Sequence, residues 1–269
     1  MKNTQIISVI NQKGGVGKTT TVINLGTALS LRSKKVLIID LDPQGNSTSG
    51  LGIDKSTLNK SIYNVLLREI KLNETFKSIK LSDNKKITIS PSVGDLSGAD
   101  IELYSTDERE WILKKALDKN ILNDYDYILI DCPPSLSLLT INAFAAANSL
   151  LIPVQCEFFA MEGLAQLNKT IELIINRLNP SLKIEGLLLT MYDSRNNICK
   201  TVASEVKNFF KENVLKTIIP KNVKLAESPS YGKCIFDYDE DCLGAISYIE
   251  LSKEIITNNG GTFIEKITR

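Results

Sequence analysis

Histidine is absent from all 269 residues. That excludes an imidazole general base and deprives any zinc site of its usual nitrogen ligand. Cysteine is sparse: Cys132, Cys156, Cys199, Cys234 and Cys242 are odd in number, and no two form a Cys-x-x-Cys pair. A disulfide framework is therefore not expected, and a reducing compartment fits best. No apolar run approaches the ~20 residues that cross a bilayer. The first apolar run begins at Ile6, so no signal peptide is expected. Net charge is also nearly missing, at +1. What remains is ordinary for a globular chain long enough to bury a large core, 43% hydrophobic and 23% charged.

The most informative stretch is Asn11 to Thr20, Asn-Gln-Lys-Gly-Gly-Val-Gly-Lys-Thr-Thr. It follows the apolar run Ile6 to Ile10, which reads as a buried strand. It precedes Val22, Leu25, Ala28 and Leu29, which recur at helical spacing. A glycine-rich turn between strand and helix gathers backbone N–H groups and the positive end of a helix around one point. That arrangement binds phosphate. Lys18 would reach the β- and γ-phosphates, and the Thr19 hydroxyl would ligate Mg²⁺. The spacing is not the common G-x-x-x-x-G-K-[ST], because Gln12 stands where the first glycine belongs and Lys13 adds a second lysine.

Two further apolar runs end in acids. Val36 to Ile39 leads into Asp40-Leu41-Asp42-Pro43-Gln44-Gly45-Asn46, and Tyr127 to Ile130 leads into Asp131-Cys132-Pro133-Pro134. Open α/β sheets place their ligands at such carboxyl ends. Taken alone, the first segment reads equally as a capped turn, since Asp-Pro is a common turn start. The second has the Walker B pattern, whose aspartate holds Mg²⁺ through water. Cys132 reads as a passive small residue beside it.

Strands and helices alternate through the chain. Strands are expected at Lys86 to Ser90, Leu150 to Val154, Ile184 to Met191 and Val214 to Ile219. Helices are expected at Ser61 to Leu67, Leu72 to Ile79, Glu108 to Leu122, Ser137 to Ala147, Met161 to Leu178, Thr201 to Asn213 and Leu243 to Ile256. The pattern predicts an α/β fold with one mostly parallel sheet covered by helices on both faces. Charge is uneven: residues 195–233 carry eight lysines and arginines against three glutamates, a net +5 on a chain of +1. That is either an electrostatic footprint for nucleic acid or a solvated helix face.

The box Lys13-Gly14-Gly15-Val16-Gly17-Lys18-Thr19-Thr20 resembles the deviant Walker A motif of the ParA/MinD family of P-loop ATPases. Further likeness lies in Asp40 to Asn46, Asp131 to Pro134, Pro153 to Glu157, Tyr192 to Asn197 and Ile219 to Lys233. Together these run from about residue 4 to about 257 and are similar to ParA/Soj partition ATPases. The resemblance implies one ATPase domain over residues 1–257 and a short tail over 258–269. It implies ATP and Mg²⁺ as cofactors, with Gly14, Gly15, Val16, Gly17, Lys18, Thr19 and Thr20 cradling the phosphates. Lys13 would reach the partner's nucleotide in a sandwich homodimer. Asp42 would position the attacking water, and Thr19, Asp40 and Asp131 would serve the Mg²⁺ shell. Pro220 and Asn222 would lie near the adenine, and Arg195, Lys221 and Lys224 would contact non-specific DNA.

The resemblance also implies a ParB-like centromere-binding partner that stimulates hydrolysis, and a cytoplasmic, nucleoid-associated protein. One departure stands out: the family segment I-P-R-N-V-R-L here carries Lys221 and Lys224, which keep the charge but lose the bidentate fork. Because the chain enters its first strand at once, no helix-turn-helix extension and no operator specificity are expected. Two rivals share the P-loop. A MinD-like membrane-cycling ATPase needs a basic amphipathic tail, and the glycine-broken Asn258 to Arg269 does not read as one. An iron–sulfur carrier of the nitrogenase iron protein type needs cysteine spacings that are missing.

Overall fold

Short runs of branched apolar residues build one sheet in the computed structural model, which describes residues 4–81 and 84–261. The strands are β1 (Gln5–Val9), β2 (Val36–Asp40), β3 (Lys77–Lys80), β4 (Lys86–Ser90), β5 (Tyr127–Asp131), β6 (Ser149–Gln155), β7 (Lys183–Tyr192) and β8 (Val214–Pro220). They lie in the order β3-β4-β2-β5-β1-β6-β7-β8. Every pair is parallel except β3 with β4.

Parallel strands need crossovers, and the crossovers cover both faces. The central strands β2 and β5 are consequently buried at all five positions. On one face Ile7, Val9, Ile38 and Leu129 pack with α1 (Lys18–Leu31) and the Leu243–Asn258 helix. On the other, Ile6, Ile39, Ile128 and Ile130 pack with the helices Leu138–Ala146, Ala160–Arg177 and Asn197–Phe210. The alternation of strand side chains sorts neighbouring residues between these two cores.

Two of the expected helices are absent as such. Within Leu72 to Ile79 only Leu72–Thr75 is a 3₁₀ turn, and Lys77–Lys80 is the antiparallel edge strand. Its short Lys-Ser-Ile-Lys alternation is hidden behind apolar residues at helical spacing. The expected helix over Glu108 to Leu122 is broken before Lys119, where the Asp118 side chain accepts from the N–H groups of Asn120 and Ile121. A side chain that caps a new helix competes with continuation of the old one. The last helix runs to Asn258, and the predicted tail from residue 262 onward lies outside the described residues. Among the described residues no helix is long and apolar enough to cross a membrane.

Candidate functional site

The site is assembled at the carboxyl ends of β1, β2 and β5. Register pairs Asp40 of β2 with Asp131 of β5, so two acids far apart in the chain become lateral neighbours. Both share parity with Ile38 and Leu129, which face the α1 side. The Asn11–Gly17 turn runs from β1 into α1 on that same side. Gly15 and Gly17 adopt left-handed backbone angles, φ 75° and 90°, which side chains resist. A Cβ placed on Gly14 or Gly15 would meet nothing within 4 Å, so the turn borders open space. Gly17 caps α1 without any side-chain hydrogen bond, leaving first-turn N–H groups for an outside acceptor.

Lys18 is buried, and its Nζ donates to the Lys13 carbonyl at 3.1 Å. Burial lowers its pKa, against the pull of Asp131, Cys132 and Asp42. The Val16 carbonyl accepts from the Thr190 hydroxyl at 2.9 Å, which ties the turn to the end of β7. Thr19 and Thr20 are half-buried in the first turn of α1.

The acids differ in how their oxygens are used. Asp40 Oδ2 accepts from the N–H and the hydroxyl of Thr48, at 2.8 and 2.7 Å, and Oδ1 accepts from Asp42 N–H at 3.2 Å. Asp131 Oδ2 accepts from the Ser47 hydroxyl at 2.7 Å, but its Oδ1 is buried with no hydrogen-bond partner. Burial raises both carboxyls above the usual range; the charge of Asp131 adds to the rise at Asp40. Asp42 is buried as well, so this end of the sheet holds three buried carboxyls and one buried lysine, on which Asp131 and Asp42 act, a set that calls for a cation. Asp42 Oδ1 accepts from Gln44 N–H at 2.9 Å, and its carbonyl accepts from the Ser92 hydroxyl at 2.7 Å. Cys132 is fully buried, which pushes its thiol well up, so it is inert rather than reactive.

Lys13 leaves this cluster. Its Nζ pairs with Glu157 at 2.5 Å beyond the end of β6, both side chains being about half exposed. Immediately after Glu157 come Phe158 and Phe159, exposed and packed edge to face on each other.

The basic residues sit on the flank made by β7 and β8. Tyr192 pairs with Pro220, and Lys221 N–H donates to the Tyr192 carbonyl at 3.0 Å, so the two strand-end loops do meet. Arg195 is 88% exposed, yet Asp193 occupies its fork through Nε at 3.0 Å and Nη2 at 2.8 Å. The Arg195 hydrogen bonds hold the Asp193 carboxyl well below the usual range. Lys224 lies over the Tyr238 ring, 5.5 Å from its centroid. Asn222 caps the Val223–Glu227 turn by accepting from Lys224 N–H at 2.8 Å.

Several residues that shape the site carry no sequence signal: Ser47, Thr48, Ser92 and Thr190. Each is a small polar residue whose partner is fixed only by loop geometry. Glu157 lies in a segment already marked by its resemblance, but nothing in the sequence links it to Lys13.

A family model described as an AAA domain matches residues 4–184. The sporulation initiation inhibitor protein Soj of Bacillus subtilis (strain 168) is 49% identical over 254 residues, covering 94% of this chain and 99% of that protein. The chromosome partitioning protein ParA of Myxococcus xanthus (strain DK1622) is 49% identical over 252 residues, 94% of this chain and 88% of that one. Among solved structures, cobyrinic acid a,c-diamide synthase from Mycobacterium smegmatis, bound to an ATP analogue and magnesium, superposes with a TM-score of 0.82. It is 35% identical, with 97% of this chain and 100% of that one covered. With the deviant lysine box, the paired strand-end acids and this likeness together, the chain belongs to the ParA/Soj branch of the ParA/MinD family of P-loop ATPases.

Proposed function

We propose that this partition ATPase, a single domain over residues 1–257, works as an ATP-dependent sandwich dimer. The dimer binds DNA without sequence preference, and a ParB-like partner stimulates its hydrolysis. The observation that carries the reading is the divergence of the two lysines. Lys18 is buried in its own turn, whereas Lys13 turns outward to an exposed glutamate. A lysine aimed away from its own phosphate turn is free to serve a second copy.

Gly14 to Thr20 would hold the phosphates through backbone N–H groups, with Lys18 as their fixed counter-charge. The residues fit Mg²⁺: Thr19 and Asp131 would hold it, the unpaired Asp131 Oδ1 being the open ligand, while Asp40 supports that shell. Bound there, Mg²⁺ supplies neutralisation of phosphate charge. Asp42 would orient the water, since a chain without histidine must use a carboxylate or a backbone group. Lys13 of the partner would stabilise developing charge, as trans-acting cations do in this class of chemistry. Pro220 and Asn222 border the adenine in this reading.

The exposed cations at Arg195, Lys221 and Lys224 would meet DNA phosphate, and dimerisation doubles that surface. The protein would then be cytoplasmic and nucleoid-associated. Co-sedimentation with non-specific DNA under ATP, ADP and no nucleotide tests the reading. Sedimentation with ATP alone is expected, and equal sedimentation in all three states would refute nucleotide control. Liposome flotation under ATP tests the MinD-like alternative; flotation would favour it.

A further inference from the structure

Thr48 is fully buried in α2 (Asn46–Gly50), the short helix that ends the loop after β2. It makes three hydrogen bonds that join separate parts of the site. Its N–H and its hydroxyl both donate to Asp40 Oδ2, at 2.8 and 2.7 Å. The same hydroxyl oxygen accepts from Ser92 N–H at 2.9 Å, just beyond the end of β4. Asp40 begins the loop and Thr48 closes it, so a carboxylate-to-hydroxyl bond ties the two ends together with Asp42 between them. Ser47, one residue earlier, donates to Asp131 Oδ2. Residues 47 and 48 thus grip the two strand-end acids, and Asp131 Oδ1 is left without a hydrogen bond.

We propose that Thr48 is a positioning residue for the metal shell. By holding Asp40 through two donors, it fixes the carboxylate pair in the arrangement that takes up Mg²⁺ with the nucleotide. It touches neither phosphate nor metal and acts through Asp40. The proposal rests on the reading of Asp131 and Asp40 given above. Valine has nearly the shape of threonine but neither donates nor accepts, so Thr48→Val keeps the packing and removes two hydrogen bonds. Serine restores both. The loss should therefore appear in the dependence of nucleotide binding on Mg²⁺, not in binding without metal.

The test is titration of a fluorescent ATP analogue at a series of Mg²⁺ concentrations and in EDTA, for wild type, T48V, T48S and D131N. For T48V the half-saturating Mg²⁺ concentration should rise about tenfold, the size expected for one buried charged hydrogen bond. T48S should stay within about twofold of wild type by the same scale. Affinity in EDTA should be unchanged in both. If T48V fails to fold, T48A, which leaves a small void instead, is judged by the same readout. A wild-type Mg²⁺ profile for T48V, a T48S as defective as T48V, or an equal loss in EDTA would overturn the proposal. D131N separates the two levels: if it shifts the Mg²⁺ profile and T48V does not, only the Thr48 inference fails. If D131N leaves the profile untouched, the metal-shell reading fails and takes the inference with it.

Discussion

The carboxyl edge of the sheet is built in two ways. At its centre, behind β1, β2 and β5, Lys18, Asp40, Asp42 and Asp131 are buried, and the hydroxyls of Thr48 and Ser47 hold Asp40 and Asp131. On the β7–β8 flank, Arg195, Lys221 and Lys224 are exposed, and two of the three lean on neighbours of their own, Asp193 and Tyr238. Buried charges have few rotamers and large desolvation costs, so their positions are set before any ligand arrives. Exposed cations are screened and mobile, and they act through number and field rather than placement. The centre therefore has the physics of chemistry on one bound molecule, and the flank that of adhesion to a polyanion.

That division is broken most directly at Lys18. Lys18→Ala removes the buried cation on which Asp131 and Asp42 act, and in the proposed reading the phosphates would lose their fixed counter-charge. Nucleotide affinity should fall by about a hundredfold, ~3 kcal/mol for a charged interaction in a desolvated site. Dimerisation and DNA binding should vanish with it. Calorimetric titration with ATP is the measurement, and wild-type affinity would remove the phosphate role from this turn.

How much of each region is legible in the sequence follows from how locally it is encoded. The glycine-rich turn is contiguous, and Gly15 and Gly17 stand where positive φ is needed, so Gly14 to Thr20 is legible from spacing. Asp40 and Asp131 are legible as acids ending strands. Their side-by-side placement depends on β5 lying between β1 and β2, which no local pattern encodes. Thr48 and Ser92 are not legible, because a buried hydroxyl has meaning only once the loop has folded around it. The Lys13–Glu157 pair spans 144 positions and is hidden for the same reason. On the flank the surplus of lysine is visible, but not the occupation of Arg195 by Asp193. Strand β3 reads as helix because four residues of alternation are too few to outweigh a helical spacing that overlaps them.

Lys13 sharpens the comparison, since it belongs to the phosphate turn by sequence and to the exposed class by structure. Its pair with Glu157 is half exposed, and such pairs contribute ~0–1 kcal/mol, so release to a partner costs little. Lys13→Ala should retain ATP binding by the monomer and lose dimer-dependent turnover by about a thousandfold, the low end for a trans-acting cation. Single-turnover hydrolysis beside gel filtration with ATP checks it; a mutant that dimerises and turns over normally would return Lys13 to a structural role.

Asp42 should show a smaller effect confined to one step. Asp42→Ala leaves Lys18 and the acids at Asp40 and Asp131 in place, so ATP binding and dimerisation should persist. Hydrolysis should fall about a hundredfold, the usual scale for losing a positioned base, and the protein should accumulate on DNA. Phosphate release measured with DNA present reads this directly. Normal turnover would reduce Asp42 to a turn residue that accepts from Gln44 N–H.

The smallest effect is expected on the flank, and it should be graded rather than absolute. Arg195→Glu, or Lys221→Glu with Lys224→Glu, reverses charge without touching the phosphate turn. ATP binding and ATP-dependent dimerisation should therefore match wild type. DNA affinity should weaken to a similar degree on every sequence, because pairing with phosphate carries no base information. Every DNA phosphate left without its cation should lower the slope of log K against log salt by about 0.9. Asp193 already fills one edge of the Arg195 fork, so that change is an upper figure for Arg195. Lys221 and Lys224 lack the fork altogether and would meet phosphate as point charges. Their double reversal should thus give the larger slope change of the two variants, though a smaller effect than any substitution at the centre. A salt titration of DNA affinity beside gel filtration with ATP makes the measurement. Unchanged affinity and slope would put the DNA surface elsewhere. Loss of dimerisation would instead join this flank to the centre and end the division between them.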